Sequence, residues 1–116
     1  MDAKTKAAIA YLKKELVRAA EIVAKFQADF AYNETYALEW SQNLFFAVAV
    51  RDTLSRYLKV LEEGTHNLDQ VVAVATREVL IGARNPPHST SPVHNLMETA
   101  LIQVKAEFLE ESKYFG

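Results

Sequence analysis

The sequence predicts an all-α protein, an antiparallel four-helix bundle with helices over residues 3–31, 34–63, 67–83 and 92–113. Apolar residues recur at alternating steps of three and four along most of the chain, which is the spacing of one face of an α-helix. The 116 residues include only 3 Gly and 3 Pro, so few residues interrupt a helix. At this length we expect a single domain, residues 1–116, that buries about two-thirds of its surface without a metal or a disulfide.

The first helix, residues 3–31, is predicted from one regular apolar stripe. A stripe at this spacing packs along a neighbouring helix as the seam of a bundle does. Its members are Ile9, Leu12, Leu16, Ala19, Val23, Phe26 and Phe30.

The second helix, residues 34–63, is bounded by two residues with helix-end chemistry. The side chain of Asn33 can accept a hydrogen bond from a first-turn amide, and Gly64 can take the left-handed conformation that ends a helix. The stripe between them is Tyr36, Trp40, Leu44, Ala47, Arg51, Leu54, Leu58 and Leu61.

Part of this helix is apolar on every side. Residues 44–50 read Leu-Phe-Phe-Ala-Val-Ala-Val, so they must be covered from more than one direction. We expect this stretch to form either the centre of the bundle or the interface of a dimer.

The last two helices are predicted from their caps and from proline. Asn67 and Gln70 have the spacing of a capping box, and the apolar pattern that follows runs to Gly82. Residues 71–76 are rich in β-branched side chains and could also form a strand, but no partner strand is evident elsewhere, which favours a helix. Ser91 is the expected cap of the fourth helix and Pro92 its first residue.

Charge and composition exclude several function classes. Thirteen Lys and Arg against fifteen Asp and Glu give a net charge of -2, so we expect no DNA partner. No uncharged apolar stretch reaches the roughly 18 residues of a membrane span, and early charges leave no signal-peptide core, so we expect the cytoplasm. We expect no cofactor, and the acidic face of Glu107, Glu110 and Glu111 is expected to be solvated.

Arg51 interrupts the apolar stripe of the second helix. A guanidinium there needs a carboxylate, a set of carbonyls or a ligand anion, unless it lies at the edge of the stripe and reaches water. It is therefore a candidate binding residue. Asp52 is expected to pair with Arg56, four residues further along the helix.

Polar groups concentrate in the connection between the third and fourth helices. Residues 84–94 contain all three prolines together with Arg84, Asn85, His88 and His94. Rigid loops on a helical scaffold often carry functional groups, so these four residues are candidate binding residues. The alternative is that the segment has a structural role alone and simply ends one helix and begins the next. No recognised metal-ligand spacing links the histidines, and we predict no metal site.

Arg84-Asn85 resembles the hallmark of the HEPN ribonuclease domains. In that family of small, commonly dimeric helical bundles, an Arg is followed by a polar residue, and four to six residues separate this Arg from a His. Here three residues separate Arg84 from His88, and nine separate it from His94. The resemblance implies RNA cleavage in which His88 or His94 moves a proton at a ribose 2′-hydroxyl and Arg84 stabilises the charged phosphate.

The function expected from these features is binding or assembly without catalysis. Trp40, Tyr36 and Phe45 supply aromatic side chains of the kind enriched at interfaces, beside the apolar stretch 44–50. We expect a homodimer that acts through its helix faces on another protein or a small ligand. The alternative is a HEPN-like ribonuclease or another small hydrolase that uses residues 84–94, with RNA as a partner only in that case.

Overall fold

The chain folds into four α-helices. The structure is a computed structural model that describes residues 2–32, 37–84 and 92–115, with side chains described over 2–28, 44–82 and 98–115. The helices are α1 (Ala3–Tyr32), α2 (Ala37–Glu63), α3 (Leu68–Arg84) and α4 (Pro92–Ser112). The described residues contain no strand, and residues 71–76 are helical. The predicted all-α four-helix bundle is confirmed, with every predicted boundary within three residues of the observed one.

The turn between α2 and α3 is built as its sequence predicts. Gly64 has a φ of 74°, the left-handed conformation that favours glycine, and its amide donates to the carbonyl of Leu61 at 3.3 Å. The carbonyl of Val60 accepts from the amide of His66 at 3.4 Å and from the hydroxyl of Thr65 at 3.3 Å. The last carbonyls of α2 therefore find donors within the turn.

The capping box at the start of α3 is confirmed. The amide of Gln70 donates to Oδ1 of Asn67, and the amide of Asn67 donates to Oε1 of Gln70, both at 2.9 Å. These two bonds satisfy amides that have no partner inside the helix. The other two predicted caps, Asn33 and Ser91, lie outside the described residues.

The best-packed part of the core surrounds Phe108 of α4. The largest fully buried side chains are Phe108, Leu12 and Leu61. The rings of Tyr11, Tyr57 and Phe115 lie around Phe108 with centroids 5.3 to 6.3 Å away, within the range of favourable aromatic pairs. Phe108 therefore joins α1, α2 and α4.

Helices α3 and α4 approach closely at Gly82. A Cβ atom built on Gly82 would lie 2.5 Å from Cδ1 of Ile102 and 2.9 Å from its Cγ1. A glycine at position 82 leaves room for the Ile102 side chain, and α3 continues past Gly82 to Arg84. Its role here is close packing, since the helix does not end at this glycine.

A single chain does not cover residues 44–50 on all sides. Ala47 is buried, but the other six are partly or fully exposed, and Phe45 is 64% exposed. Within the described residues, α2 packs mainly on α1 and α4 and less on α3. One chain therefore leaves Phe45 uncovered, and both alternatives for this stretch, the centre of the bundle and the interface of a dimer, stay predictions.

Candidate functional site

Of the candidate residues chosen from the sequence, Arg51 is the one whose side chain is described. It is 38% exposed, and its Nε lies 3.4 Å from Oδ1 of Asp52. This is an arginine at the edge of the stripe with its head reaching water. The expected pairing of Asp52 with Arg56 is wrong, because Nη2 of Arg56 instead lies 3.8 Å from Oε2 of Glu78.

The other candidate residues fall at the limits of what the structure describes. Arg84 is the last residue of α3, and His94 is the third residue of α4. Trp40 belongs to the first part of α2. For these three the backbone alone is described, and Asn85 and His88 lie outside the described residues. The hypothesis of a catalytic loop over residues 84–94 stays a prediction.

The structure presents a groove that the sequence analysis did not predict. Helices α1 and α4 both pack on α2 and meet each other at Tyr11 and Phe108, but they do not pack along their length, so a space remains between them. Its volume is about 390 Å³. It is lined by Tyr11, Glu15, Arg18, Ala19, Ile22 and Phe26 of α1, by Phe46, Ala47, Val50 and Leu54 of α2, and by Val104 and Glu107 of α4. We call this space the groove.

The walls of the groove are mostly apolar. Ile22 is 49% exposed, and Phe26, Phe46 and Val50 are each partly exposed. Apolar surface left open to water in a concave space is favourable to cover, at about 25 cal/mol per Å². A space of this size with few polar groups is typical of small-molecule sites.

One end of the groove is acidic. The pKa of the Tyr11 hydroxyl is raised to about 12, mainly by burial and in smaller part by the negative charges of Glu15, Glu111 and Glu107. Arg18 opposes this effect, but its Nη1 lies 3.1 Å from Oε1 of Glu15, so its charge is already paired. The electrostatic potential at this end therefore favours a positive charge.

A second polar cluster joins α2, α3 and α4. Glu78 of α3 forms an ion pair with Nζ of Lys105 of α4, and the Lys105 side chain is only 15% exposed. The neighbouring Tyr57 hydroxyl is buried and makes no hydrogen bond of normal geometry to any described residue. Burial, with a further contribution from Glu78, raises the pKa of Tyr57 to about 12, and Arg56 partly opposes that rise. The cluster holds charge between helices that otherwise pack through apolar side chains.

Helical spacing groups several exposed apolar side chains of α2 and α3 with the crevice between these two helices. Arg56 of α2 and Val74 of α3 line a small crevice between these two helices. Ala49 and Phe45 precede Arg56 by seven and eleven residues, and Ile81 follows Val74 by seven, spacings that return to the same side of a helix. Phe45, Val74 and Ile81 are 64%, 44% and 49% exposed. We call the surface formed by Phe45, Ala49, Val74 and Ile81 the Phe45 face.

The charged residues of these sites had a weak signal in the sequence. Glu78 follows Val71 and Ala75 at steps of four and three, and Lys105 falls between Leu101 and Phe108 in the same way. A charge inside an apolar stripe can indicate an internal partner, which Glu78 and Lys105 have and Arg51, among the described residues, does not. No pattern in the sequence indicated that Glu107 lines the groove, because its position opposite α1 depends on how the helices pack.

Neither a protein-family model, nor a curated protein, nor a solved structure matches this chain. Within the described ranges, no helix has both the length and the apolar character that crossing a membrane requires. Over the same residues, no three His, Asp or Glu side chains converge as they would to hold a metal ion. The function must therefore be inferred from the groove, the polar cluster and the Phe45 face.

Proposed function

We propose that this protein is a non-enzymatic binding and assembly module that works as a homodimer. The dimer forms through the Phe45 face, and the groove remains available for a ligand. The observation that carries the proposal is Phe45 itself, a phenylalanine within α2 that is 64% exposed to water. Large aromatic side chains at the centre of an apolar surface are the usual anchors of protein interfaces.

The total surface of the chain supports a dimer. The chain exposes 7653 Å². A compact monomer of 13.1 kDa exposes about 6,400 Å² by the usual scaling of surface with mass. The surplus is therefore about 1,200 Å², which exceeds the roughly 800 Å² that each partner buries in a standard interface. A second copy of the chain has enough open surface to cover.

The geometry of the Phe45 face suits a twofold dimer. In a twofold interface the same surface is used by both copies, so a surface must be complementary to itself. Ala49 lies one turn of α2 from Phe45, and a small residue there leaves room for the partner copy's aromatic ring. Phe45 of each copy would then pack between α2 and α3 of the other.

Light scattering over a concentration series tests the dimer. We expect the wild-type chain to have twice its sequence mass at micromolar concentration and Phe45→Glu to be monomeric, because a carboxylate would be buried without a partner in the interface. Val17→Glu is the matched control, since Val17 of α1 is also exposed, at 59%, and lies on the side of α1 away from the groove. A wild-type monomer at every concentration, or a dimer that Phe45→Glu leaves intact, would contradict the proposal.

The same proposal places the protein in the cytoplasm. A chain with no Cys has no disulfide to lose in a reducing compartment. Cell fractionation of the tagged protein tests this location, and recovery from a membrane or secreted fraction would contradict it.

A further inference from the structure

The groove has a composition that narrows the chemistry of its occupant. Most of its described lining is apolar and includes Phe26 of α1 and Phe46 and Val50 of α2. Among the described side chains, its polar lining consists of Tyr11, two glutamates and one arginine. An occupant would bury an apolar body against the phenylalanines and place one polar end beside the glutamates.

We propose that the groove binds a small molecule with an apolar body and a single cationic end, such as a protonated alkyl or aryl amine. The apolar body lies between Phe26, Phe46 and Val50, and the ammonium group lies near Glu107 and Glu15. This inference rests on the binding part of the proposed function and does not depend on the dimer.

The volume of the groove is that of a small-molecule site. Sites that bury a drug-sized ligand are clefts of about 300–1,000 Å³ lined mainly by apolar side chains with a few polar groups. The groove, at about 390 Å³, lies at the lower end of that range. This size and lining favour a small molecule as its occupant.

The charges at the acidic end of the groove favour a positively charged group on the ligand. Glu107 is exposed and no described basic side chain lies within ion-pair distance of it; its described partner is the amide of Gln103, whose Nε2 lies 3.3 Å from its Oε1. Glu15 is already paired with Arg18, and Glu111 adds a further negative charge close to Tyr11. With three carboxylates and one guanidinium, this end attracts an ammonium group and repels a carboxylate.

The groove and the Phe45 face lie on different sides of α2. Phe46 lines the groove and Phe45 does not, and consecutive residues of a helix point about 100° apart. Ligand binding and dimer formation therefore use separate surfaces, and each can be tested without the other.

Isothermal titration calorimetry with two matched probes tests the inference. Decylamine is protonated at pH 7, since alkyl amines titrate near the pKa of a lysine side chain, whereas decanoate is anionic. We expect decylamine, below its micelle-forming concentration, to bind about tenfold more tightly than decanoate because the acidic end distinguishes the two charges. Equal binding of the two probes, tighter binding of decanoate, or binding of neither at millimolar concentration would overturn the inference.

Three variants locate the binding. Glu107→Gln should weaken decylamine binding about threefold or more, whereas Glu110→Gln, a glutamate on the same helix that pairs with Lys113 away from the groove, should leave it unchanged. Val50→Trp should abolish binding of decylamine by filling the groove, with circular dichroism used to verify that the variant is folded. Decylamine binding that neither Glu107→Gln nor Val50→Trp alters would overturn the assignment to the groove.

The same samples distinguish this inference from the proposed dimer. A dimer by light scattering that binds neither probe overturns the ligand assignment and leaves self-association standing. A monomer that binds decylamine more tightly than decanoate overturns the proposed dimer and leaves the ligand assignment standing.

Discussion

Removal of Glu78 should cost this protein more stability than removal of any exposed carboxylate. Glu78 of α3 neutralises Lys105 of α4, whose side chain is 15% exposed, and it also lies 3.8 Å from the guanidinium of Arg56 of α2. In Glu78→Ala, two positive charges from different helices would face each other without a counter-charge, and Lys105 could not reach bulk water freely. The perturbation therefore acts on the contacts that join three helices.

The expected size of the effect follows from the burial of the pair. Breaking a buried ion pair from one side costs about 3–5 kcal/mol, whereas breaking an exposed pair costs about 0–1 kcal/mol. Glu78 is 31% exposed, which places it nearer the buried case but below its upper limit. We expect a loss of about 3 kcal/mol in the free energy of unfolding, or roughly 12 °C in Tm for a domain of this size.

Urea unfolding followed by circular dichroism at 222 nm measures this loss, with all variants at one protein concentration because a dimer makes stability depend on concentration. Glu63→Ala is the matched control, since Glu63 forms an exposed pair with Lys59 at 4.0 Å. The double variant Glu78→Leu with Lys105→Met should recover most of the lost stability, because apolar side chains of similar size often replace a buried pair without cost. If Glu78→Ala and Glu63→Ala cost the same, the reasoning is refuted.

Further substitutions test the packing, the buried tyrosine and the capping box. Gly82→Ala should lower the free energy of unfolding in urea by about 1 kcal/mol, because the added methyl group clashes with Ile102. In an Ile102→Ala background the same change should raise it by about 1 kcal/mol, because only the higher helix propensity of alanine remains. Equal effects in both backgrounds would contradict the close approach. The pKa of Tyr57 is raised to about 12, so between pH 10 and 12 the folded state keeps the hydroxyl proton that the unfolded state loses. The free energy of unfolding should therefore fall by about 2 kcal/mol over this range relative to Tyr57→Phe. Parallel pH profiles of the two proteins would contradict this. Asn67→Ala should cost about 1 kcal/mol through loss of the cap at α3, and an unchanged urea midpoint would count against that role.

The helices themselves were predictable because their signals are local. The spacing of apolar residues, the glycine at position 64 and the reciprocal cap of Asn67 and Gln70 act within a few residues of one another. Such interactions are visible in the order of the sequence, and the predicted boundaries differ from the observed ones by at most three residues.

The candidate site was less predictable because it depends on which helices pack together. The expected pairing of Asp52 with Arg56 used helical spacing alone, but Arg56 instead approaches Glu78 of another helix. Gly82 illustrates the same limit. The sequence predicts that it lies inside the third helix, residues 67–83, as it does, but the approach of Ile102 of α4, which requires a residue without a side chain here, appears only in the tertiary structure.

The sequence by itself determined an all-α chain with four helices, their ends, and an apolar surplus at residues 44–50. The tertiary structure decided where that surplus lies: Phe46 and Val50 line the groove, while Phe45 remains in water on another side of α2. The reason is physical. Helix formation follows from interactions within a few residues. A groove depends instead on how helices pack: α1 and α4 both pack on α2 but meet each other only locally, at Tyr11 and Phe108.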